Sequence, residues 1–548
     1  MRYQVSIILF CIMFLGCGTP ESLDYCAWMH PYMLPLDRAE ELPEAPLEDL
    51  TVRATPGEYE PVVLAVRASK DINVSVTYHQ ASLPGDWVEL HYVESLADTT
   101  RPNRLYPLDE TVSVDSARTE FFWLTIRPPE GIKADEYSGK VIVSAGNQHQ
   151  ELNVSCQVLP FQLADNKIKA GAFMCLADLP EGWYRDMKQH GIDAIQFFTW
   201  EWSVRDTTMF ARRGEWTEEP IAITRRGDEM ILDFRAMDRI MGQINDADME
   251  GPVVVSLGND RFMHYETRIA QVMGLPMDTT VALAPKDLSS PTITFLGPPM
   301  SERLDSLFIS GIRQLHEHWK EKQWPQELVI LIYDEPTHGL LERGKQRYDL
   351  IKSYYPDTRI YGVVMDKRKL ALEVAPQCDV IVCNGDFDGC REVAEELGKD
   401  LFTYGGMSKV NRTRFLMGCL PWRAQSQGTF FWMYNYWFYA PDGCAVYQHP
   451  DNWHKLVSSV QWESIREGVD DLKYFATAEA LISELSGVER DEYSARLNLI
   501  RDSIDLGYRG RPDNPDELGR EKLLDHMRYP QRVREQVIEL ILEALRES

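Results

Sequence analysis

The chain has 548 residues, of which 44% are hydrophobic and 26% are charged, a composition typical of folded globular domains. This composition argues against a disordered chain, a collagen-like fibre or a coiled-coil rod. At about 100–200 residues per domain, the length predicts two to four domains. The 85 Asp and Glu residues exceed the 57 Lys and Arg residues and give a formal net charge of −28. Such an acidic surface repels phosphate backbones, so we expect no nucleic-acid partner.

The first residues are typical of an export signal. Arg2 is followed by an almost wholly apolar run over residues 5–15, and Gly16 then precedes Cys17. A transmembrane helix needs about 20 apolar residues, so this run is too short to span a bilayer and fits a signal peptide. A small residue before a cysteine resembles a lipobox, in which the thiol is acylated. We expect residues 1–17 to be a lipoprotein signal and the protein to be lipid-anchored at the bacterial cell envelope, with ordinary secretion as the alternative.

The N-terminal part of the chain has the pattern of a β-sandwich. Short runs rich in β-branched and aromatic residues, such as 62–66, 74–78 and 121–126, are separated by turn residues. Short strands at regular spacing with turns between them are typical of two packed antiparallel sheets. We therefore predict a β-sandwich domain over residues 22–165.

From residue 166 to residue 484 strand-like and helix-like segments alternate. The predicted helices include one with Ser301 as its N-cap and others over 231–249 and 345–355. Eight strands alternating with helices predict a (β/α)8 barrel, and a doubly wound open sheet is the alternative. No glycine-rich nucleotide-binding motif supports the open sheet. The eight strand-like runs are 171–176, 194–198, 252–257, 328–333, 360–364, 380–383, 401–404 and 429–433.

The chain is predicted to end in helices. Residues 463–474 fit the last helix of the barrel, in which Arg466 and Asp470 are four positions apart and would form an ordinary surface or docking ion pair. Residues 485–548 are predicted to be a helical extension. Within that extension, 533–545 places its apolar residues on one helix face.

The ten cysteines do not indicate a metal site. They form no CxxC pair, and the nearby histidines lack the spacing of zinc ligands, so we expect no structural zinc site. We also expect no other metal and no cofactor. Export permits disulfides, and Cys383 with Cys390 is a conceivable pair. Most of the cysteines lie in apolar strand-like runs, which favours buried free thiols.

The sequence Tyr333-Asp334-Glu335-Pro336 carries the strongest chemical signal. It follows the fourth predicted strand, and active sites of such barrels lie at the carboxyl ends of the strands. Two adjacent carboxylates repel each other, which favours one proton donor and one anion. Neighbours on a regular strand face opposite sides, so both reach one pocket only if the strand ends there, as Pro336 indicates. In the alternative, Asp334 caps the next segment and Glu335 faces solvent.

Four segments resemble glycoside hydrolase family 123, the β-N-acetylgalactosaminidases. Residues 333–336 are similar to the end of the fourth barrel strand in that family. Residues 463–474 (ESIREGVDDLKY) resemble its S-x-R-x-G-x-x-D helix, which also marks the related domain of unknown function 4091. Residues 57–61 and 134–139 match more weakly, so the resemblance spans most of residues 50–475.

This resemblance implies a retaining, substrate-assisted exo-glycosidase, in which the 2-acetamido oxygen of the sugar attacks the anomeric carbon. Glu335 would protonate the leaving oxygen and later activate water, and Asp334 would orient and polarise the acetamido N–H. The implied substrate is a glycan or glycoconjugate carrying N-acetylhexosamine, foremost β-linked GalNAc. Two alternatives stay open: a non-catalytic carbohydrate-binding surface lipoprotein, and a glycosidase with a different sugar specificity.

Candidate sugar contacts follow the other strands of the predicted barrel. Aromatic rings at the pocket can stack on a pyranose, although core or rim packing is the alternative for each ring. We expect Tyr404 and Trp432 to be the foremost contacts. The full set is Trp200 after the second strand, Asp260 after the third, Asn384 after the sixth, Tyr404 at the end of the seventh, and Trp432 and Tyr434 at the eighth.

Overall fold

The structure is a computed structural model in which a β-sandwich, a closed barrel and a set of C-terminal helices follow one another. The predicted fold class is therefore confirmed. The signal segment with Cys17 lies outside the described residues, among which no helix is long and apolar enough to cross a membrane. The described residues are 23–95, 102–108, 111–174, 177–198, 219–258, 264–277, 279–283, 293–336, 338–364, 368–407, 409–435, 444–510, 512 and 520–547.

The sandwich buries both faces of the central strands of one of its sheets. Its strands are β1 (Tyr25–His30), β2 (Asp49–Ala54), β3 (Glu60–Ala68), β4 (Ile72–Gln80), β5 (Val88–Ser95), β6 (Pro102–Pro107), β7 (Val112–Val114), β8 (Thr119–Ile126), β9 (Glu136–Ala145) and β10 (Gln148–Val158). One sheet has the order β2-β10-β9-β4-β7, and the other begins β1-β3-β8-β5-β6. Leu64 and Phe122 pack between the sheets, whereas Trp123 packs on the opposite face against Val410 and Val460 of the barrel domain. This double burial explains why β8 is buried at every position.

The barrel is closed and all-parallel. The strands in chain order are β11 (Lys169–Met174), β12 (Ala194–Phe198), β13 (Ala222–Arg226), β14 (Glu229–Asp233), β15 (Val253–Ser256), β16 (Thr279–Leu283), β17 (Ile293–Gly297), β18 (Leu328–Leu331), β19 (Arg359–Val364), β20 (Val380–Cys383), β21 (Asp400–Gly406) and β22 (Gly428–Trp432). The pairs β13–β14 and β16–β17 are separate hairpins, and the other eight strands form the barrel. Strand β22 pairs with β11, with Gly428 opposite Lys169, and this pairing rules out the open-sheet alternative.

The helices around the barrel include all three predicted segments, one of them only in part. They are α1 (Trp183–Gln189), α2 (Arg235–Asp246), α3 (His264–Met273), α4 (Glu302–Lys322), α5 (His338–Tyr354), α6 (Arg368–Val374), α7 (Phe387–Leu397), α8 (Val410–Met417) and α9 (Cys419–Arg423). The Ser301 hydroxyl accepts the N–H of Leu304 at 3.2 Å and caps α4 as predicted. The predicted helix over 231–249 is wrong at its start, because Ile231 lies in β14 and pairs with Thr224. The turn between the paired strands includes Gly227 at φ +64°.

The chain returns to the sandwich after completing the barrel. The remaining elements are β23 (Tyr447–His449), β24 (Asn452–Ser459), α10 (Val460–Glu484), α11 (Gly487–Asp502), α12 (Arg520–Met527) and α13 (Tyr529–Glu547). Strand β24 pairs with β6, with Ser458 opposite Leu105, so β24 and β23 extend the larger sandwich sheet to seven strands. A boundary near residue 165 therefore separates the two domains along the chain. The larger sandwich sheet nevertheless contains two strands that follow the barrel in the sequence.

The last helix carries a buried arginine into the junction of the three parts. Arg534 of α13 is 1% exposed, and its guanidinium lies 2.6 Å from Glu60, 3.1 Å from Glu467 and 3.3 Å from Glu58. It also donates to Asp471. Glu58 and Glu60 belong to the sandwich, whereas Glu467 and Asp471 belong to α10. The C-terminal extension is thus joined by buried ion pairs to both other parts.

The predicted surface pair on α10 is not formed. Arg466 is only 8% exposed and contacts Glu463 at 3.3 Å and His190 at 2.7 Å. Asp470 is 4% exposed and pairs with Lys473 at 2.7 Å. The prediction is wrong because α10 is covered on most sides by the sandwich, the barrel and α13, so its charged residues find buried partners.

Replacing Arg534 by methionine should destabilise the protein by about 3–5 kcal/mol, because it leaves buried carboxylates without their cation. The measurement is the free energy of unfolding in urea. Arg532 of the same helix pairs with the exposed Asp525, so Arg532→Met is the matched control and should cause no measurable change. Equal stability of the Arg534→Met variant and the wild type would contradict this role.

Candidate active site

Asp334 and Glu335 lie just beyond the carboxyl end of the fourth barrel strand. Strand β18 ends at Leu331, two residues earlier than predicted, so its regular alternation has stopped before the pair. The Asp334 N–H donates to the carbonyl of Gly258, which follows the neighbouring strand β15, at 3.1 Å. Glu335 has φ +46°, a left-handed conformation that is costly for a residue other than glycine and recurs at functional sites. Because the chain turns here, the two carboxylates are not directed to opposite faces as they would be in a regular strand.

Tyr404 and Asn384, two of the predicted sugar contacts, lie beside the carboxylate pair. The Tyr404 side chain, from β21, is 5% exposed, and its hydroxyl donates to Oε1 of Glu335. The side chain of Asn384, which directly follows β20, also hydrogen-bonds to Tyr404. Burial raises the pKa of Tyr404 well above its usual value, the charges of Glu335 and Asp334 raise it further, and Asn384 opposes this effect. The hydroxyl is therefore held in its protonated form and serves as a donor.

Trp432 completes an aromatic wall at the same end of the barrel. Its ring centroid lies 5.6 Å from that of Phe173, which lies 5.7 Å from that of Tyr404. Trp432 is only partly buried, so part of the ring faces solvent. Phe173 was not predicted as a site residue, because an apolar residue inside a strand has the pattern of an ordinary core residue. Phe173 sets the spacing between the two predicted sugar contacts.

Tyr434 does not join this group. The side chain is completely buried, and its ring packs edge-on against Trp183 at 6.3 Å and Trp462 at 5.2 Å. These rings belong to the core cluster that barrel strands form with the surrounding helices. The chain has already left β22, and the Tyr434 N–H donates to the Phe173 carbonyl at 3.0 Å. The alternation of side chains along β22, which would direct the Tyr434 ring toward the pocket, has therefore ended before this residue. The predicted sugar contacts Trp200 and Asp260 lie outside the described residues and stay predictions.

A buried ion cluster contacts Tyr333, the residue that precedes the carboxylate pair. Glu266 of α3 is 2% exposed and accepts hydrogen bonds from the Tyr333 hydroxyl, from Arg343 at 2.8 Å and from Arg347. Burial alone would raise the pKa of Glu266, but the two guanidiniums lower it below its usual value, so the carboxylate stays ionised. Since Tyr333 directly precedes Asp334, this cluster fixes the position at which the pair begins.

The sequence contains no signal for this cluster. Glu266 and the arginines lie on different helices, and Glu266 is separated from Arg343 by 77 positions. Arg343 also donates to the carbonyl of Pro298 at 3.1 Å, and Arg347 pairs with Asp305 at 2.6 Å. The cluster therefore connects α3, α4 and α5 around the end of β18.

The arrangement as a whole can donate a proton, hold negative charge and stack on an apolar ring face. The carboxylates supply acid–base chemistry, Tyr404 and Asn384 supply fixed hydrogen-bonding groups, and Trp432 supplies a partly exposed aromatic surface. Within the described ranges, no three His, Cys, Asp or Glu side chains are clustered as metal ligands.

No protein-family model matches the sequence, and no curated protein sequence matches it. Among solved structures, the chain is similar to a family 123 glycoside hydrolase from Clostridium perfringens, reported for glycolipid glycan hydrolysis. The TM-score is 0.69 at 12% identity, over 95% of this chain and 99% of that chain. An endo-β-1,4-mannanase from Thermotoga petrophila has a TM-score of 0.33 at 12% identity, over 56% of this chain and 77% of that chain. A xylanase from termite gut has a TM-score of 0.34 at 9% identity, over 77% of this chain and 99% of that chain. Both TM-scores are too low to indicate a shared overall fold. From the sandwich through the barrel, this chain has the fold of a family 123 glycoside hydrolase.

Proposed function

We propose that this protein is a glycoside hydrolase that releases terminal N-acetylhexosamine, foremost β-linked GalNAc, from glycans by a retaining, substrate-assisted mechanism. The observation that carries the proposal is the adjacent pair Asp334 and Glu335 at the carboxyl end of the barrel, with Glu335 bound by Tyr404. The similarity of the fold to a family 123 glycoside hydrolase supports it.

In the first step of the proposed mechanism, the acetamido carbonyl oxygen of the substrate forms a bond to the anomeric carbon while the glycosidic C–O bond breaks. Glu335 gives its proton to the leaving oxygen. Asp334 accepts a hydrogen bond from the acetamido N–H, which orients the nucleophile and stabilises the positive charge that develops on it. Two adjacent carboxylates suit this chemistry because one acts protonated and the other ionised.

In the second step, Glu335 removes a proton from water, and the water oxygen attacks the anomeric carbon as the oxazoline ring opens. The two displacements together retain the configuration of the sugar. In this scheme the Tyr404 hydroxyl and the Asn384 amide position Glu335 and the sugar relative to each other. The exposed part of Trp432 stacks on the sugar ring.

Glu335→Gln and Asp334→Asn should each lower kcat/KM on an aryl β-GalNAc substrate by about 10²–10⁴-fold. An aryl group with a very acidic leaving oxygen needs no proton, so it should partly restore the first step in Glu335→Gln but not in Asp334→Asn. Glu327 lies at the amino end of the same strand and is 43% exposed, so Glu327→Gln is the matched control and should keep full activity. The measurement is a kinetic comparison of the three variants on substrates of graded leaving-group acidity.

Two results would redirect the proposal. Activity of both site variants at the wild-type level would move the chemistry away from the pair. Absence of wild-type activity on β-GalNAc, β-GlcNAc and β-Gal substrates, together with no binding of a thiazoline analogue of the oxazoline, would favour a non-catalytic carbohydrate-binding protein. An active enzyme should bind that analogue far more tightly than the free sugar.

The ion cluster behind the pair predicts a remote effect on rate. Tyr333→Phe removes only the hydroxyl that Glu266 holds, and we expect kcat to fall about 10–100-fold because small displacements of the pair are costly. Tyr361→Phe is the matched control, since the Tyr361 hydroxyl is buried but has no hydrogen-bond partner among the described residues. Circular dichroism should show both variants folded. Equal kcat values for the two variants would show that Tyr333 has no positioning role.

We also propose that the protein is exported and anchored through an acylated Cys17, on the basis of the apolar run and the Gly16-Cys17 sequence. Cys17→Ala should move the protein from the detergent phase to the aqueous phase or block its processing. Cys26→Ala, which changes the next cysteine in the chain, should leave partitioning unchanged. Detergent-phase partitioning at the wild-type level by a Cys17→Ala protein whose leader has been removed would refute the anchor.

A further inference from the structure

Two cysteine side chains meet beside the candidate active site. Cys383 is the last residue of β20 and directly precedes Asn384, whereas Cys390 lies in α7. Their sulfur atoms are 2.7 Å apart, and both side chains are completely buried. The sulfur atoms also lie 2.6 Å and 3.6 Å from the Gly385 carbonyl oxygen. Cys378 provides a contrast, because its sulfur lies against the Ala375 carbonyl at 3.8 Å.

The backbone between the two cysteines is shaped to bring them together. Asp386 has φ +42° and caps α7 by accepting the Gly389 N–H at 3.3 Å. This turn reverses the chain directly after β20, so the first turn of α7 packs back onto the end of the strand. A disulfide needs sulfur atoms at about 2.0 Å and side chains directed at each other. The turn brings the sulfur atoms of the two free thiols to 2.7 Å, close to this distance.

We propose that Cys383 and Cys390 form an intramolecular disulfide that closes the active-site loop carrying Asn384. The cross-link would join the end of the sixth barrel strand to the helix that follows it. Because Asn384 is covalently attached to Cys383 and hydrogen-bonds to Tyr404, the cross-link restrains one side of the candidate site.

The oxidation requires a disulfide-containing oxidant, such as oxidised glutathione or a disulfide oxidase. One thiolate attacks the disulfide of the oxidant and forms a mixed disulfide, and the second cysteine then displaces it. Two S–H bonds are lost, one S–S bond forms, and the oxidant takes up two electrons and two protons. In the folded protein neither sulfur reaches solvent, and burial raises the pKa of Cys383 well above its usual value. The bond therefore forms during folding, before the loop packs.

The chemical test uses the full chain isolated from an oxidising compartment, denatured and alkylated without reductant. Trypsin releases residues 370–391 as one peptide that contains Cys378, Cys383 and Cys390. We expect this peptide to carry one alkyl group and to lack two hydrogens. It should carry three alkyl groups when reduction precedes alkylation. Three alkyl groups without reduction would overturn the proposal.

A second cleavage identifies the partners. Cutting before Asp379, Asp386 and Asp388 separates the three cysteines, so the proposed pair should link residues 379–385 to the piece that starts at Asp388. A linkage that involves Cys378 instead would overturn the proposed pairing.

A double-mutant comparison tests the bond in the folded protein. If the sulfur atoms are bonded, Cys383→Ala, Cys390→Ala and the double variant should all lower the melting temperature by a similar amount, roughly 2–5 °C. If the thiols pack independently, the two losses should add in the double variant, which would contradict the disulfide. Cys378→Ala is the control, and its effect should add to that of Cys390→Ala.

Discussion

The buried ion cluster around Arg534 and Arg414 joins the separate parts of this protein. Its carboxylates are Glu58 and Glu60 of the sandwich and Glu467 and Asp471 of α10. Since four carboxylates meet two guanidiniums, the cluster would carry excess negative charge if all were ionised. Burial raises the pKa of Glu467 to about 7 and also raises the pKa of Glu58 and Glu60, which favours retained protons. Removing either guanidinium would leave buried carboxylates without a cation, so the sandwich, the barrel and α13 depend on one another.

The candidate site also depends on buried ion pairs, which Glu266 forms with Arg343 and Arg347. The closed barrel brings the ends of distant strands to one rim, which is why Asp334, Asn384 and Tyr404 meet. The local turn at Glu335 allows both carboxylates to serve one pocket. The buried Glu266 cluster then holds Tyr333 and defines where that turn begins. A flexible arrangement of the two carboxylates would lose the positioning that acid–base catalysis needs.

Much of the architecture could be predicted because strands and helices have local patterns. The runs 194–198 and 380–383 coincide with β12 and β20, and Ser301 caps its helix as expected. Errors arose where a local pattern had two solutions. Ile231 fits a helix face but pairs in a hairpin, and Tyr434 follows the alternation of β22 but lies beyond its end.

The sequence by itself determined the alternation of strands and helices, the position of the carboxylate pair after the fourth barrel strand, and the polar and aromatic residues after later strands. These features depend on short-range periodicity and on the rule that barrel sites lie at carboxyl strand ends. Only the tertiary structure decided which distant charges meet, such as Arg534 with Glu60 and Glu266 with Arg343. Such pairs are selected by the packing of elements far apart in the chain, since a buried charge must find a partner wherever the fold places one.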